Sequence, residues 1–393
     1  MRRGLFCLGL VLFGAGQALA DENCVAAQER PLQLMSAELK REFKALKKQK
    51  PPVYYMVYGY LEGTGFALRV ADGGVLDRAI YPVDDFDVQI RVGSPALDNT
   101  RKLKNGSNDY SSVSGIVPVI EGDGKAFTTA IWRLTQRAVK RVQQDYGRVQ
   151  ADVQTASRRM DDSPDFVLPP QASFCRTQQA PSVDLDQVER LLVKVSRLVQ
   201  ESPVVLNADF DFTGSFGHRY FADSQGTRLK TPWIRFRLLY SLMGKTADGL
   251  EISRTNTYDM LDGKDLPSEE QLTADIRQSL TELELLSRAP LADPLTVPTI
   301  LKNRAMGVFV HEVLGHRMEG HRQKEDSFGR TFTSKIGQQV TAPFISIVDD
   351  ATLPSFKGIP LRGFYEYDDE GVKVRPVTLV ENGVLKEFLM SSS

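Results

Sequence analysis

Apolar residues are grouped along this chain in two periods, and the period changes several times. From Leu32 to about Gln49, Leu34, Leu39, Phe43 and Leu46 recur at three- to five-residue steps, so an amphipathic helix is predicted there, stopped by Pro51 and Pro52. Three runs rich in β-branched and aromatic residues follow, PVYYMVYGYLE, TGFALRVADGG and DFDVQIRVGS, with glycines between them, and predict three strands of an antiparallel sheet separated by turns. Residues 99–115 are polar and rich in Gly, Ser and Asn, the composition of a loop. A long helix is expected from about Ala126 to Met160, where Phe127, Ile131, Leu134, Ala138, Val142 and Val149 form one stripe and Arg and Gln fill the other face.

A shorter helix begins behind Asp184 and turns Leu191, Leu192, Val195 and Leu198 inward. Strands resume at Val204, with a turn over Asp223–Gly226, and a further helix opens at Ser268 with Glu269 and Glu270 in its first turn, where the helix dipole favours acids. Three prolines in residues 289–298 mark a stiff linker and a domain boundary. Beyond it, a helix able to start at Pro298 carries Ile300, Leu301, Met306, Val308 and Phe309 around most of its circumference, so His311 and Glu312 are expected to emerge in a buried or half-buried place. VENGVLKEF reads as a hairpin about Asn382-Gly383. The fold class expected is α+β: an N-terminal domain of helices and antiparallel sheet over residues 21–290, then a β-rich C-terminal domain, residues 291–393, that carries the histidine-bearing helix.

The first twenty residues stand outside this pattern. Arg2 and Arg3 precede an apolar run that ends in Ala18-Leu19-Ala20, the pattern of a signal peptide over residues 1–20. The run is shorter than the roughly 20 apolar residues a membrane span needs. Secretion into the periplasm or the medium is therefore expected, with no stable membrane span after cleavage. Loss of Arg2 and Arg3 lowers the formal net charge of −1 by two, to −3, which offers no basic face for a nucleic acid. Cys7 leaves with the leader, so Cys24 and Cys175 remain as a pair that an oxidising compartment would join.

Three of the chain's four histidines fall within the eleven residues HEVLGHRMEGH, His311 to His321, and Glu312 follows the first. A catalytic zinc takes three protein ligands and leaves a position for water, and imidazoles suit it. A glutamate beside a ligand is placed to accept that water's proton and pass it to a leaving amine. The spacing is unusual, because residues four apart diverge by about 40° around an α-helix while residues five apart diverge by about 140°. A one-residue π-bulge removes the conflict, and Gly315 is where the backbone is freest to deform. His218, in GSFGHRY, has no companion at ligand spacing and reads as structural.

HEVLGHRMEG, with VDDATLPSFKGIPLRGFYEYDDEGV and TLVENGVLKEFLMS after it, resembles the catalytic core of the TldD/PmbA family of zinc metallopeptidases, once described as modulators of DNA gyrase. The resemblance is dense from about residue 300 to the end and thin before it. It implies an α+β N-terminal domain, a β-rich C-terminal domain, dimers with a second copy or another family member, and zinc-dependent cleavage of short peptides or unfolded segments. By the motif, His311 and His316 are metal ligands and Glu312 is the general base. Family members take a cysteine as third ligand from further downstream, whereas this chain has none beyond Cys175. The chain is thus expected to be C-terminally short, or to hold zinc differently. His321, where many relatives have Asp, is the candidate third ligand, or else a solvated loop histidine. Glu319 is a further ligand candidate, or a hydrogen-bond partner for a histidine N–H. Two functions follow, an exported zinc peptidase and a catalytically incomplete binding or assembly subunit. Asp349-Asp350 and Asp368-Asp369-Glu370 are expected at turns or strand ends.

Overall fold

The computed structural model describes residues 24–103, 112–155, 163–324 and 330–392. The signal-peptide expectation for residues 1–20 lies outside them.

The expected α+β architecture is present. In chain order the first part holds α1 (Arg30–Leu46), β1 (Val53–Ala71), β2 (Gly74–Ser94), β3 (Leu97–Asp98), β4 (Ser112–Ile116), α2 (Lys125–Thr155), β5 (Ser173–Cys175), α3 (Leu185–Ser196), β6 (Val205–Asp223), β7 (Arg228–Lys245), β8 (Glu251–Met260) and α4 (Glu269–Arg288). The strands form one sheet in the order β3-β2-β1-β6-β7-β5, with β4 against β2 and β8 against β7. All these pairings are antiparallel except that of β5 with β7.

Of the three predicted strand runs, the two before residue 75 are one strand. The break expected at Glu62-Gly63-Thr64-Gly65 does not occur, because Gly63 faces Gly217 across β1 and β6 and the backbones nearly touch there. A Cβ on Gly63 would come within 2.1 Å of the Phe216 carbonyl oxygen, and one on Gly217 within 1.9 Å of that of Glu62. The glycines thus let the sheet pass through a close approach, a use of glycine that local sequence does not distinguish from a turn. The chain reverses instead at Asp72 and Gly73, both at positive φ. The loop expected over 99–115 is interrupted by β4.

Because the strands are long, one face of the sheet carries two separate cores. Even-numbered positions of β1 face the helices: Met56, Tyr58 and Tyr60 pack with Leu32, Met35 and Leu39 of α1 and Phe127, Ile131 and Leu134 of α2. Further along the same face, Phe66, Leu68 and Val70 pack with Leu185, Val188 and Leu192 of α3 and Leu272, Ile276 and Leu280 of α4. Asp184 and Ser268 cap α3 and α4, accepting hydrogen bonds from the Gln187 and Gln271 amides. Cys24 and Cys175 are joined in a disulfide, with their Cα atoms 5.4 Å apart.

Residues 289–302 have no regular secondary structure and are exposed. Then come α5 (Asn303–Val310) and five short strands, β9 (Ile347–Asp349), β10 (Ser355–Phe356), β11 (Ile359–Pro360), β12 (Val377–Glu381) and β13 (Val384–Leu385). The β12–β13 hairpin turns at Asn382 and Gly383, both at positive φ, as the Asn-Gly pair predicts. A small core of Met318, Phe332, Leu379, Val380, Leu385 and Phe388 lies beneath. This part docks on the helix-free face of the large sheet. Tyr367 packs with Tyr55, Val57 and Phe221, Arg219 donates to the Asp368 carbonyl oxygen at 3.0 Å, and Arg176 pairs with Glu366.

Candidate active site

The helix expected from Pro298 starts at Asn303, and its surroundings differ from the expectation. Ile300, Met306, Val308 and Phe309 are all exposed, Ile300 at 86 %, and α5 buries no residue. His311 and Glu312 are exposed too, so the buried setting predicted for them is not found among the described residues. An all-round apolar surface specifies that something should cover a helix; it does not say that the covering comes from the same fold.

At His311 the winding changes. His311–Gly315 form a π turn, closed by a hydrogen bond from the His316 amide to the His311 carbonyl oxygen, and His316–Met318 continue as a tight 3₁₀ turn. The wider turn takes up the fifth residue of the spacing and brings both imidazoles to one side, with ring centroids 4.4 Å apart. Ligand atoms of His311, Glu312 and His316 all lie within 4.8 Å of one another. The Glu312 carboxylate is 4.0 Å from His316 Nε2.

The far side of His316 is fixed by Glu319, in the second of the two roles considered for it, and by Arg322. His316 Nδ1 is 2.8 Å from Glu319 Oε1, and Arg322 binds the other Glu319 oxygen. With an ionised carboxylate at Nδ1, the ring proton belongs on that nitrogen and the Nε2 lone pair is left toward Glu312. Burial alone would raise the Glu319 pKa, but hydrogen bonds from Arg322 and His316 outweigh it and hold the carboxyl below its ordinary value. Glu319 therefore serves as the orienting partner. Arg322 was not anticipated; its position three residues after Glu319 is the signal that could have found it.

His321 does not join the cluster. Its Nε2 lies 3.5 Å from Glu319 Oε2, whereas His316 contacts Oε1, and among the described residues the metal-capable group at the motif is His311, Glu312 and His316 only. The cause is a pairing with a segment distant in sequence: the chain leaves the 3₁₀ turn at Glu319 in an extended conformation and pairs with Leu389. Gly320 donates to the Leu389 carbonyl oxygen at 2.7 Å, and Leu389 to that of Met318 at 2.8 Å. A side chain at Gly320 would strike Met390 Sδ, so the glycine after Glu319 permits this docking. Burial pushes the His321 pKa down, and Lys102 and Arg322 add to that against the opposing pull of Glu319.

The other acidic runs shape loops. Asp368 accepts from the Glu370 and Val372 amides at 2.9 and 2.8 Å, and Gly371, at φ 80°, lies against the Phe221 ring. Asp350 accepts from the Thr352 amide in the same way, and Asp349 ends β9. His218 sits in the middle of β6, with Nδ1 3.9 Å from Glu62.

Residues 294–393 match the model of the PmbA/TldA metallopeptidase C-terminal domain. Over this segment the chain carries a domain of the TldD/PmbA family. A metalloprotease of Methanocaldococcus jannaschii is 25 % identical over 209 residues, 53 % of this chain and 44 % of that one. A zinc metalloprotease TldD homolog of Saccharolobus solfataricus is 37 % identical over 92 residues, 23 % of this chain and 19 % of its own length. The aligned part thus spans under half of these curated relatives. Among solved structures, TldE of Thermococcus kodakarensis superposes with a TM-score of 0.53 at 16 % identity, covering 90 % of this chain and 69 % of its own. A proposed modulator of DNA gyrase from Bacteroides thetaiotaomicron gives 0.56 at 10 % identity, covering 93 % and 73 %. These two likenesses show the TldD/PmbA fold over nearly the whole chain.

Proposed function

We propose that this TldD/PmbA protein is a zinc-dependent peptidase that hydrolyses peptide bonds in short peptides or unfolded segments. The observation that carries the reading is the π turn, which sets two imidazoles and a carboxylate within 4.8 Å of each other around a shared space. His311 and His316 would hold the ion, with Glu319 and Arg322 orienting His316 from behind. Zinc, when bound there, lowers the pKa of a coordinated water toward about 7. Glu312, beside the ligands, would be placed to accept a proton there and to donate one to the leaving amine. The exposure of His311 and Glu312 suits a polymeric substrate entering from solvent.

We place the chain in the periplasm or outside the cell, on the basis of the Arg2-Arg3, apolar-run and Ala18-Leu19-Ala20 pattern and of the Cys24–Cys175 disulfide. No helix among the described residues is long and apolar enough to cross a membrane. Two units meeting near residue 290, and assembly with a second copy or another family member, complete the proposal; the bare apolar surface of α5 supports the latter. A second reading, a binding subunit without peptidase activity, is favoured by one observation: the cluster offers only two imidazoles, and His321 is outside it.

Metal analysis and peptide hydrolysis by the purified chain, beside its Glu312→Gln and His316→Ala forms, separate the two. The peptidase reading expects about one zinc per chain, its loss in His316→Ala, and retained zinc with at least a 100-fold fall in rate for Glu312→Gln. A parent that binds no zinc, or a Glu312→Gln form as active as the parent, sinks it.

A further inference from the structure

Charge is unevenly spread over this chain. Residues 30–50 and 125–155, which hold α1, the turn after it and α2, carry thirteen lysines and arginines against four acids, an excess of nine positive charges in a chain whose formal net charge is −1. The whole-chain balance conceals this, because the remainder carries the compensating acid. Three of the four acids, Glu38, Glu42 and Asp145, are buried and pair with Arg41, Arg141 and Arg148. The outer surface is left to the cations. Lys44 in the last turn of α1, Lys47 and Lys48 just after it, and Arg133, Arg137 and Lys140 on α2 are all exposed, and among the described residues none of the six has an ion-pair partner.

The two helices present one surface. Gln136 donates to Glu42 at 2.7 Å and Gln143 to Gln49 at 3.0 Å. The two contacts are seven residues apart on each helix, so α1 and α2 run side by side in the same direction. Arg133, Arg137 and Lys140 recur at steps of four and three and share the outward side of α2. The helix dipole accounts for cations at the end of α1, but not for three in the middle of α2, a helix of 31 residues. Trp132, one turn before Gln136, is 42 % exposed beside them. An indole left in water next to a band of cations suits lipid headgroups: the cations meet phosphates, and the ring, apolar but for one N–H, settles where headgroup gives way to acyl chain.

We infer that the outer face of α1 and α2 is a peripheral docking surface for a bilayer rich in anionic lipid, held by these six cations and by Trp132. Of the polyanions that six cations would answer, the bilayer is favoured by Trp132 and by the export pattern of residues 1–20, which takes the chain to a membrane and away from nucleic acid. Contact of this kind is electrostatic and interfacial and needs no spanning helix, and none is found among the described residues. The C-terminal part docks on the opposite face of the sheet, so a bilayer on α1 and α2 leaves His311, Glu312 and His316 uncovered. The surface does not rest on zinc chemistry.

Binding is measured by vesicle sedimentation with the purified chain, on vesicles of phosphatidylcholine alone and with about one third phosphatidylglycerol. The chain binds the anionic vesicles at least tenfold more tightly, and the difference closes as salt is added. Lys44→Gln/Lys48→Gln/Arg133→Gln/Arg137→Gln lowers that affinity at least tenfold. Lys335→Gln/Lys357→Gln/Lys373→Gln/Lys386→Gln removes as much charge from exposed positions of the C-terminal part and changes it less than about twofold. A second readout needs no change on the proposed face. Trp233→Phe removes an indole N–H that has no partner and leaves Trp132 as the only tryptophan, whose emission moves to the blue on the anionic vesicles. Equal binding of the two vesicles, equal losses in the two quadruple variants, or an unshifted Trp132 emission overturns the inference. Tighter binding of single- or double-stranded DNA than of the anionic vesicles, at equal phosphate concentration, overturns it in favour of a nucleic-acid face.

Discussion

Helices α3 and α5 both carry several apolar residues and both follow irregular segments, yet they end in opposite circumstances. In α3 the apolar residues fall on one stripe, and Leu185, Val188, Leu192 and Val195 are all buried, in a helix packed against β1, β6 and α4. In α5 they surround the axis, and among the described residues nothing covers them. The difference separates two things that hydrophobicity encodes. A stripe names a face and so implies a neighbour within the fold, whereas a full girdle records only that water is disfavoured. The region built on stripes holds the sheet, and the region with the girdle holds His311, Glu312 and His316.

Substitutions in the two helices test this directly. The largest effect expected is for Leu192→Ala, which removes a fully buried side chain and costs about 2–5 kcal/mol in denaturant unfolding. Phe309→Ala, on the girdle, changes the stability of the isolated chain by less than about 0.5 kcal/mol. A loss there as large as that at Leu192 would mean that α5 is covered within a single chain and would break the comparison. Next comes Glu319→Ala, which leaves His316 without its orienting partner. Zinc affinity by chelator competition falls about 10- to 100-fold while unfolding is little changed. Ser268→Ala removes the cap of α4 in the packed region and costs about 1 kcal/mol.

The smallest effect is one of pH. Burial raises the pKa of Asp87 above its ordinary value, against the opposing pull of Arg219. A carboxyl raised in the folded state binds its proton more tightly there than in the unfolded chain. Its contribution is fully present below the ordinary carboxyl pKa and is lost as pH rises through the folded one. Asp87→Asn therefore flattens the decline of melting temperature across that interval; the same slope in parent and variant would show that Asp87 is not its source.

Much of this was legible in the sequence, for reasons that can be named. Caps at Asp184 and Ser268, the Asn382-Gly383 turn and the stripes of α1 to α3 are local devices, and local sequence contains them. The spacing of His311 and His316 was legible too, since a five-residue step is inconsistent with an α-turn and Gly315 marks where it yields. What local sequence lacks is the identity of a distant neighbour. Gly63 resembled a turn because the Gly217 backbone that it accommodates is 154 positions away. His321 resembled a ligand because nothing nearby shows that Leu389 draws the chain straight at Glu319.

The π turn has one more consequence, concerning length and not composition. Its extra residue is a surplus that the backbone stores within a single turn, so removal of Gly315 would leave His-Glu-Val-Leu-His, a four-residue step that an ordinary α-turn brings to the same side. The second histidine would still stand three residues before Glu319. At this point the chain is tolerant of losing a residue and intolerant of gaining one, since a sixth step would carry the rings apart again. Insertions and deletions here are therefore not equivalent, and the helix can change length in one direction without giving up its pair.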